Sequence, residues 1–137
     1  MDGSRSAGAS LSTHILSEMK LYFDGSYQRG KACYGFLLST KEGFIVSGDY
    51  LPGVTSPMVA EYEGLIAGLR VSKDFDEDLE IAGDSKMVLS SISGQSKVRD
   101  KELRPLLETV IELLPEKYTL RWVPRKKNLA DKHSRCS

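Results

Sequence analysis

Three aspartates in this chain sit where a carboxylate could do chemistry. Asp24 follows the apolar run of "LYFDGS", which then turns through Gly25 and Ser26; Asp84 follows "LEIAG" in "AGDSK"; Asp131 lies in "NLADKHS". Taken singly, each is equally a turn or cap former. Taken together they share a setting, at the end of a strand or the start of a helix. If the strands carrying Asp24 and Asp84 are parallel neighbours, both side chains emerge at the same sheet edge, where α/β sheets place ligand sites. Carboxylates crowded there repel one another, and without a partner some take up protons. A hard divalent cation removes that conflict. With no Cys/His cluster nearby, the ligand type points to Mg²⁺ or Mn²⁺, not zinc. Two such ions, about 3.5–4 Å apart, can hold both the attacking and the leaving oxygen of a phosphodiester.

The elements that must position these acids can be read from periodicity. Residues 19–25, 32–39 and 43–51 read as three strands, joined by hairpin-type connections into an antiparallel meander. In "PMVAEYEGLIAGLRVSK" the apolar residues Met58, Tyr62, Leu65, Ile66 and Leu69 recur at helical spacing, with Ser56 as N-cap and Pro57 in the first turn. A short buried strand, "LEIAG", leads to Asp84. "DSKMVLSSIS" reads as a short helix stopped by Gly94, and residues 101–114 as a longer one. "KYTLRWV" is the last strand, with Trp122 and, in the first strand, Tyr22 expected in the core. "KKNLADKHSR" is expected to be helical. The order βββαβααβα implies a mixed sheet with helices on its faces.

Composition narrows the class. The 137 residues suffice for one domain; residues 1–18, small and polar, read as a flexible leader or expression remnant, and 19–137 as the domain. Lys+Arg and Asp+Glu are both 19, so any nucleic-acid affinity must come from local patches. One such patch runs from Lys117 to Arg135, with seven Lys/Arg and only Asp131 as an acid; Arg125, Lys126 and Lys127 are its candidate phosphate contacts. The acidic 74–80 stretch is expected to face away from it. No apolar run approaches a membrane span, and the N-terminus lacks the features of a signal peptide. Cys33 and Cys136 make no disulfide framework and read as free thiols, which places the chain in a reducing, cytoplasmic compartment. Monomer is the default state.

"YFDGS", "VAEYEGLIAGL", "GDSKMVL" and "WVPRKKNLAD" together resemble type 1 ribonuclease H in order and spacing, over about residues 19–135. The resemblance implies a ribonuclease H-like α/β fold: a five-stranded mixed sheet, antiparallel over strands 1–3 and parallel at strands 4 and 5, flanked by helices. It implies four metal-binding, catalytic acids at Asp24, Glu61, Asp84 and Asp131. The choice of Glu61 over Glu63 rests on this match, because both flank the apolar stripe. It also implies nucleic-acid contacts at Gly25, Ser26, Ser56, Ser85, Lys86 and Asn128, beside the basic residues already named. The implied activity is hydrolysis of the RNA strand of an RNA–DNA hybrid with two Mg²⁺ ions (Mn²⁺ is an alternative), leaving 5′-phosphate and 3′-hydroxyl ends.

The chain departs from its relatives at three places. Pro57 and Met58 stand where many members have a pair of Asn that contacts the minor groove. No His precedes the last acid, and His133 beyond it reads as an exposed residue. The basic protrusion of some members is missing between the central helices. These departures keep a second reading open, a non-catalytic nucleic-acid-binding module on the same fold. The four acids favour the enzyme, since a pure binder gains nothing from negative charge beside phosphates.

Overall fold

The structure is a computed structural model, and it describes residues 19–136. The leader expected at 1–18 lies outside the described residues. Strands β1 (Met19–Gln28), β2 (Lys31–Thr40) and β3 (Gly43–Leu51) form the antiparallel meander. Strands β4 (Leu79–Gly83) and β5 (Tyr118–Trp122) add parallel to it, giving the order β3-β2-β1-β4-β5. β1 is therefore central, with β2 antiparallel on one side and β4 parallel on the other. That pairing sends Asp24 and Asp84 out at one edge. The acidic stretch from Asp74 to Asp78 sits at the start of β4, the opposite end from Asp84.

Alternation along β1 decides which face is buried. Met19, Leu21 and Phe23 are fully covered, while Lys20 and Tyr22 between them are half-buried. Helix α1 (Pro57–Ser72) covers the buried face with Tyr62, Leu65, Ile66 and Leu69. Each fully buried Leu contributes about 2 kcal/mol of transfer free energy. The α1 N-terminus follows the expectation: Pro57 opens the first turn, and the Ser56 Oγ accepts from the Val59 N–H at 3.2 Å. Helix α2 (Lys86–Ser93) is capped by Ser85 in the same way and ends at Gly94, whose φ is 85°.

Three expectations need correcting. The third helix, α3, runs Arg104–Leu113 and not from residue 101. A helix beginning at 101 would require an N–H on Pro105 to bond back to the residue 101 carbonyl, and proline has none. The segment expected to be a terminal helix is two 3₁₀ turns, Arg125–Lys127 and Asp131–His133, with Asn128 extended between them (φ −81°, ψ 107°). Buried bonds of the Asn128 side chain, described below, outweigh the helical preference of its neighbours. Finally, Cys33 and Cys136 are not free thiols but form a disulfide, with Cα atoms 5.6 Å apart. The chain end returns to β2, a closure that a sequence separation of 103 does not suggest. The expectation of a reducing compartment thereby loses its basis. Among the described residues, no helix is long and apolar enough to cross a membrane.

Candidate active site

The acidic site is assembled from the ends of three elements. β1 delivers Asp24, α1 delivers Glu61 from its second turn, and Asp84 follows β4. Close approach of β1 to α1 depends on Gly25. A Cβ there would strike the backbone of Ala60 and Glu61, so any larger residue would push the helix away from the strand. The outcome is that carboxylate oxygens of Asp24, Glu61 and Asp84 lie within 4.8 Å of one another. They line an open cavity of about 550 Å³, shared with Ser26, Trp122 and Arg125.

The electrostatics of this trio are unfavourable by themselves. Asp24 is 3% exposed. Burial, with the Asp84 and Asp131 carboxylates, pushes its pKa up to about 7, against the opposing pull of a hydrogen bond from Ser134. Burial, then the charges of Asp24 and Asp84, push Glu61 up to about 9, although the Gly25 backbone and Arg125 pull the other way. The Glu61 Oε1 is buried with no hydrogen-bond partner. A buried carboxylate with an orphaned oxygen, grouped with two further carboxylates, is the donor set of a hard divalent cation, so the residues present fit such an ion.

Asp131 stands apart from the mutual trio. Its carboxylate is paired with Arg135 at 2.7 Å and with Arg125 at 3.5 Å, and the Arg135 bond holds its pKa down. It still lies near enough to Asp24 for each to perturb the other. Glu63, by contrast, is outside the trio; burial first, then the charges of Asp49 and Glu63, raise the Tyr34 phenol. Of the two glutamates that periodicity leaves open, Glu61 is the one grouped with Asp24 and Asp84.

The other expected contacts divide. Arg125, Lys126 and Lys127 are exposed on their 3₁₀ turn, and Lys86 is exposed at the start of α2. Ser56 and Ser85 accept backbone N–H bonds as caps, and their own protons stay available as donors. The hydroxyl of Ser26 is committed to the Ser134 carbonyl at 2.6 Å. Asn128, expected at the nucleic-acid surface, is 4% exposed. Its amide donates to the Phe23 carbonyl at 2.9 Å and to Asp84 Oδ2 at 3.2 Å, and its oxygen accepts from the Ala130 N–H at 3.0 Å. It braces the strand ends that carry Asp24 and Asp84.

Trp122 is likewise corrected: it is 46% exposed, not core. Its indole Nε1–H donates to the Asp84 carbonyl at 3.1 Å, and the Lys86 ammonium lies 4.7 Å from its ring centroid. Sequence reasoning gave Ser134 no role, and no local pattern marks it. For Trp122 a signal existed: it closes an outer strand opposite Gly83, the residue before Asp84.

With this geometry in view, comparison with known proteins is decisive. A family model described as "Reverse transcriptase-like" matches residues 22–134. Ribonuclease HI of Halobacterium salinarum is 35% identical over 114 residues, 78% of this chain and 57% of the relative. The crystal structure of RNase H1 from that halophilic archaeon superposes with a TM-score of 0.74 at 32% identity, covering 84% of this chain and 96% of the other. The chain belongs to the type 1 ribonuclease H family. This ribonuclease H chain spans 57% of the curated relative's length. A further ribonuclease H structure, LC11-RNase H1 in complex with an RNA/DNA hybrid, matches with a TM-score of 0.75 at 25% identity, over 83% of this chain and 91% of that one. The five-stranded mixed sheet expected of a ribonuclease H is the sheet observed. Where many relatives carry the Asn pair, this member has Pro57 exposed and Met58 half-buried at the head of α1.

Proposed function

We propose that this chain is a divalent-metal-dependent endonuclease that hydrolyses the RNA strand of RNA–DNA hybrids. One observation carries the reading: Asp24, Glu61 and Asp84 bring oxygens within 4.8 Å of one another at a sheet edge. Structure alone gains nothing from such repulsion, whereas phosphodiester chemistry needs a site of this kind. The relative named Ribonuclease HI and the hybrid complex of LC11-RNase H1 support the same substrate.

In this proposal Asp24, Glu61, Asp84 and Asp131 would hold the metal. When bound, a pair of Mg²⁺ or Mn²⁺ ions supplies an activated water and stabilises the leaving oxygen of the phosphodiester. The protein's own groups do the rest. Asn128 and Trp122 fix the Asp84 end of the site through its side chain and its carbonyl. Arg125, Lys126 and Lys127 take phosphates beside it. The Ser56 and Ser85 hydroxyls are placed to donate to sugar or phosphate oxygens. Recognition of 2′-hydroxyls across a shallow minor groove is what separates RNA from DNA, and with no Asn pair these short donors must supply it. Attack of water on phosphorus then leaves a 5′-phosphate and a 3′-hydroxyl.

The test is incubation of a labelled RNA–DNA hybrid with Mg²⁺ or Mn²⁺, beside single-stranded RNA, duplex RNA and duplex DNA. Cleavage confined to the RNA strand of the hybrid is the expected result. Binding of the hybrid without cleavage in either metal would refute the enzyme and favour a binding module.

A further inference from the structure

The chain beyond Asp131 does not leave the site. It folds back as a short strap across β1, β2 and β3. Gly35 and Gly48 are cross-strand partners, and a Cβ on either would strike the backbone of His133, so the two glycines make the seat on which the strap lies. Ser26 donates to the Ser134 carbonyl at 2.6 Å. The Ser134 hydroxyl, 1% exposed, lies 2.8 Å from Asp24 Oδ2 and 2.9 Å from the Asp131 carbonyl. One residue thus ties the central acid of the site to the backbone that carries the outlying one. Cys33, the cross-strand partner of Ser26, then binds the end of the strap covalently through Cys136.

From this arrangement we infer that the Cys33–Cys136 disulfide is a redox latch, holding Asp131 and Ser134 against Asp24 when oxidised and releasing them when reduced. The inference deepens the nuclease reading and rests on it.

Without the disulfide the strap is held by the buried Ser134 hydroxyl on Asp24 and by two lesser contacts. The Arg135–Asp131 pair is largely exposed, with 68% of the Arg side chain accessible, and such pairs contribute little. The Ser26–Ser134 bond is a single neutral hydrogen bond. Short segments of this kind open locally while the core stays folded. The disulfide is reachable from the Cys136 side, Cys33 being 4% exposed. Both cysteines line a second cavity, of about 410 Å³, together with Lys31, His133 and Arg135. Lys31 and Arg135 favour a departing thiolate there, with Asp49 on the same wall opposing them. A small dithiol supplies the two electrons: its thiolate attacks one sulfur and the Cys33–Cys136 bond breaks. Its second thiol then displaces the mixed disulfide, so the chain gains two thiols and the dithiol becomes a disulfide.

The experiment compares the full chain, oxidised and reduced with dithiothreitol, by hydrogen–deuterium exchange of residues 129–136 and by calorimetric titration with Mn²⁺. Reduction is expected to speed exchange in that segment selectively. It should also weaken Mn²⁺ affinity about 10-fold to 100-fold, the usual effect of losing a group that orients a metal ligand. Ser134→Ala in the oxidised chain should lower Mn²⁺ affinity while the segment stays protected. The double variant C33S/C136S should match the reduced chain in either buffer. Unchanged exchange, unchanged affinity or loosening of the whole domain on reduction would each overturn the latch. Absence of Mn²⁺ uptake by the oxidised chain would instead overturn the nuclease reading beneath it, and that result is distinct from a latch that fails while uptake persists.

Discussion

Replacing Glu61 by Gln should make the metal-free protein more stable near pH 7, although it removes a group central to the proposed chemistry. The Glu61 carboxyl ordinarily titrates near 4.5 and is pushed to about 9 in the fold, by burial first and by Asp24 and Asp84 next. Between those values the folded chain holds a proton that the unfolded chain has released. Folding stability therefore falls as pH rises through that window, and Glu61 brings no penalty below about 4.5. The penalty grows by about 1.36 kcal/mol per pH unit, so it reaches roughly 3 kcal/mol near pH 7. Glutamine keeps the shape, stays neutral in both states, and its amide can donate to the neighbouring carboxylates. For a domain of this size roughly 3 kcal/mol corresponds to about 10 °C in Tm. Asp24, also raised, tilts both proteins alike. The assay is urea denaturation in a chelating buffer at pH 4.5, 6 and 7.5, for wild type and E61Q. The difference should be near zero at the lowest pH and grow with each step. Excess Mg²⁺ should remove most of the difference, since an ion bound at 100 times its Kd contributes about 2.7 kcal/mol and needs the glutamate. A difference that does not change with pH, or an E61Q chain weaker throughout, would refute the charge-crowding argument.

Three further outcomes follow from the geometry. Asp24→Asn should abolish hybrid cleavage, a loss of more than about 100-fold in rate by gel assay, while circular dichroism shows the fold retained. Replacing Arg125, Lys126 and Lys127 by Ala should weaken hybrid binding and flatten its salt dependence, with the log–log slope falling by about one for each lost phosphate contact. Gly25→Ala should destabilise the domain by about 1–3 kcal/mol in thermal melts, because its methyl meets the Ala60–Glu61 backbone. It should also lower Mn²⁺ affinity, by parting Asp24 from Glu61.

What could be read from the sequence was what local physics decides. Alternation through Met19, Leu21 and Phe23 fixes the buried face of β1, and the Ser56-Pro57 start and Gly94 stop fix helix ends through bonds only a few residues long. The terminal segment could not be read this way. Its sequence carries helical spacing, but Asn128 trades that helix for bonds to Phe23 and Asp84, 105 and 44 residues away. The disulfide hides for the same reason, since two distant cysteines carry no trace of the strap that brings them together.

The site was legible in a different sense. The sequence supplied acids at element ends, and family spacing supplied Glu61. What neither supplied was their inequality. In space the four do not form a uniform ring. Asp24, Glu61 and Asp84 crowd one another with an oxygen left orphaned, whereas Asp131 is neutralised by two arginines. Charge crowding is a property of distances, and distances of a few ångströms are set here by the absence of a side chain at Gly25 and by the bracing amide of Asn128. Neither residue bears a charge or would hold a metal. A reading that looks only for ligands therefore recovers the acids and misses the two residues that bring them together, where burial first and mutual repulsion second raise Asp24 and Glu61 far above ordinary carboxylates.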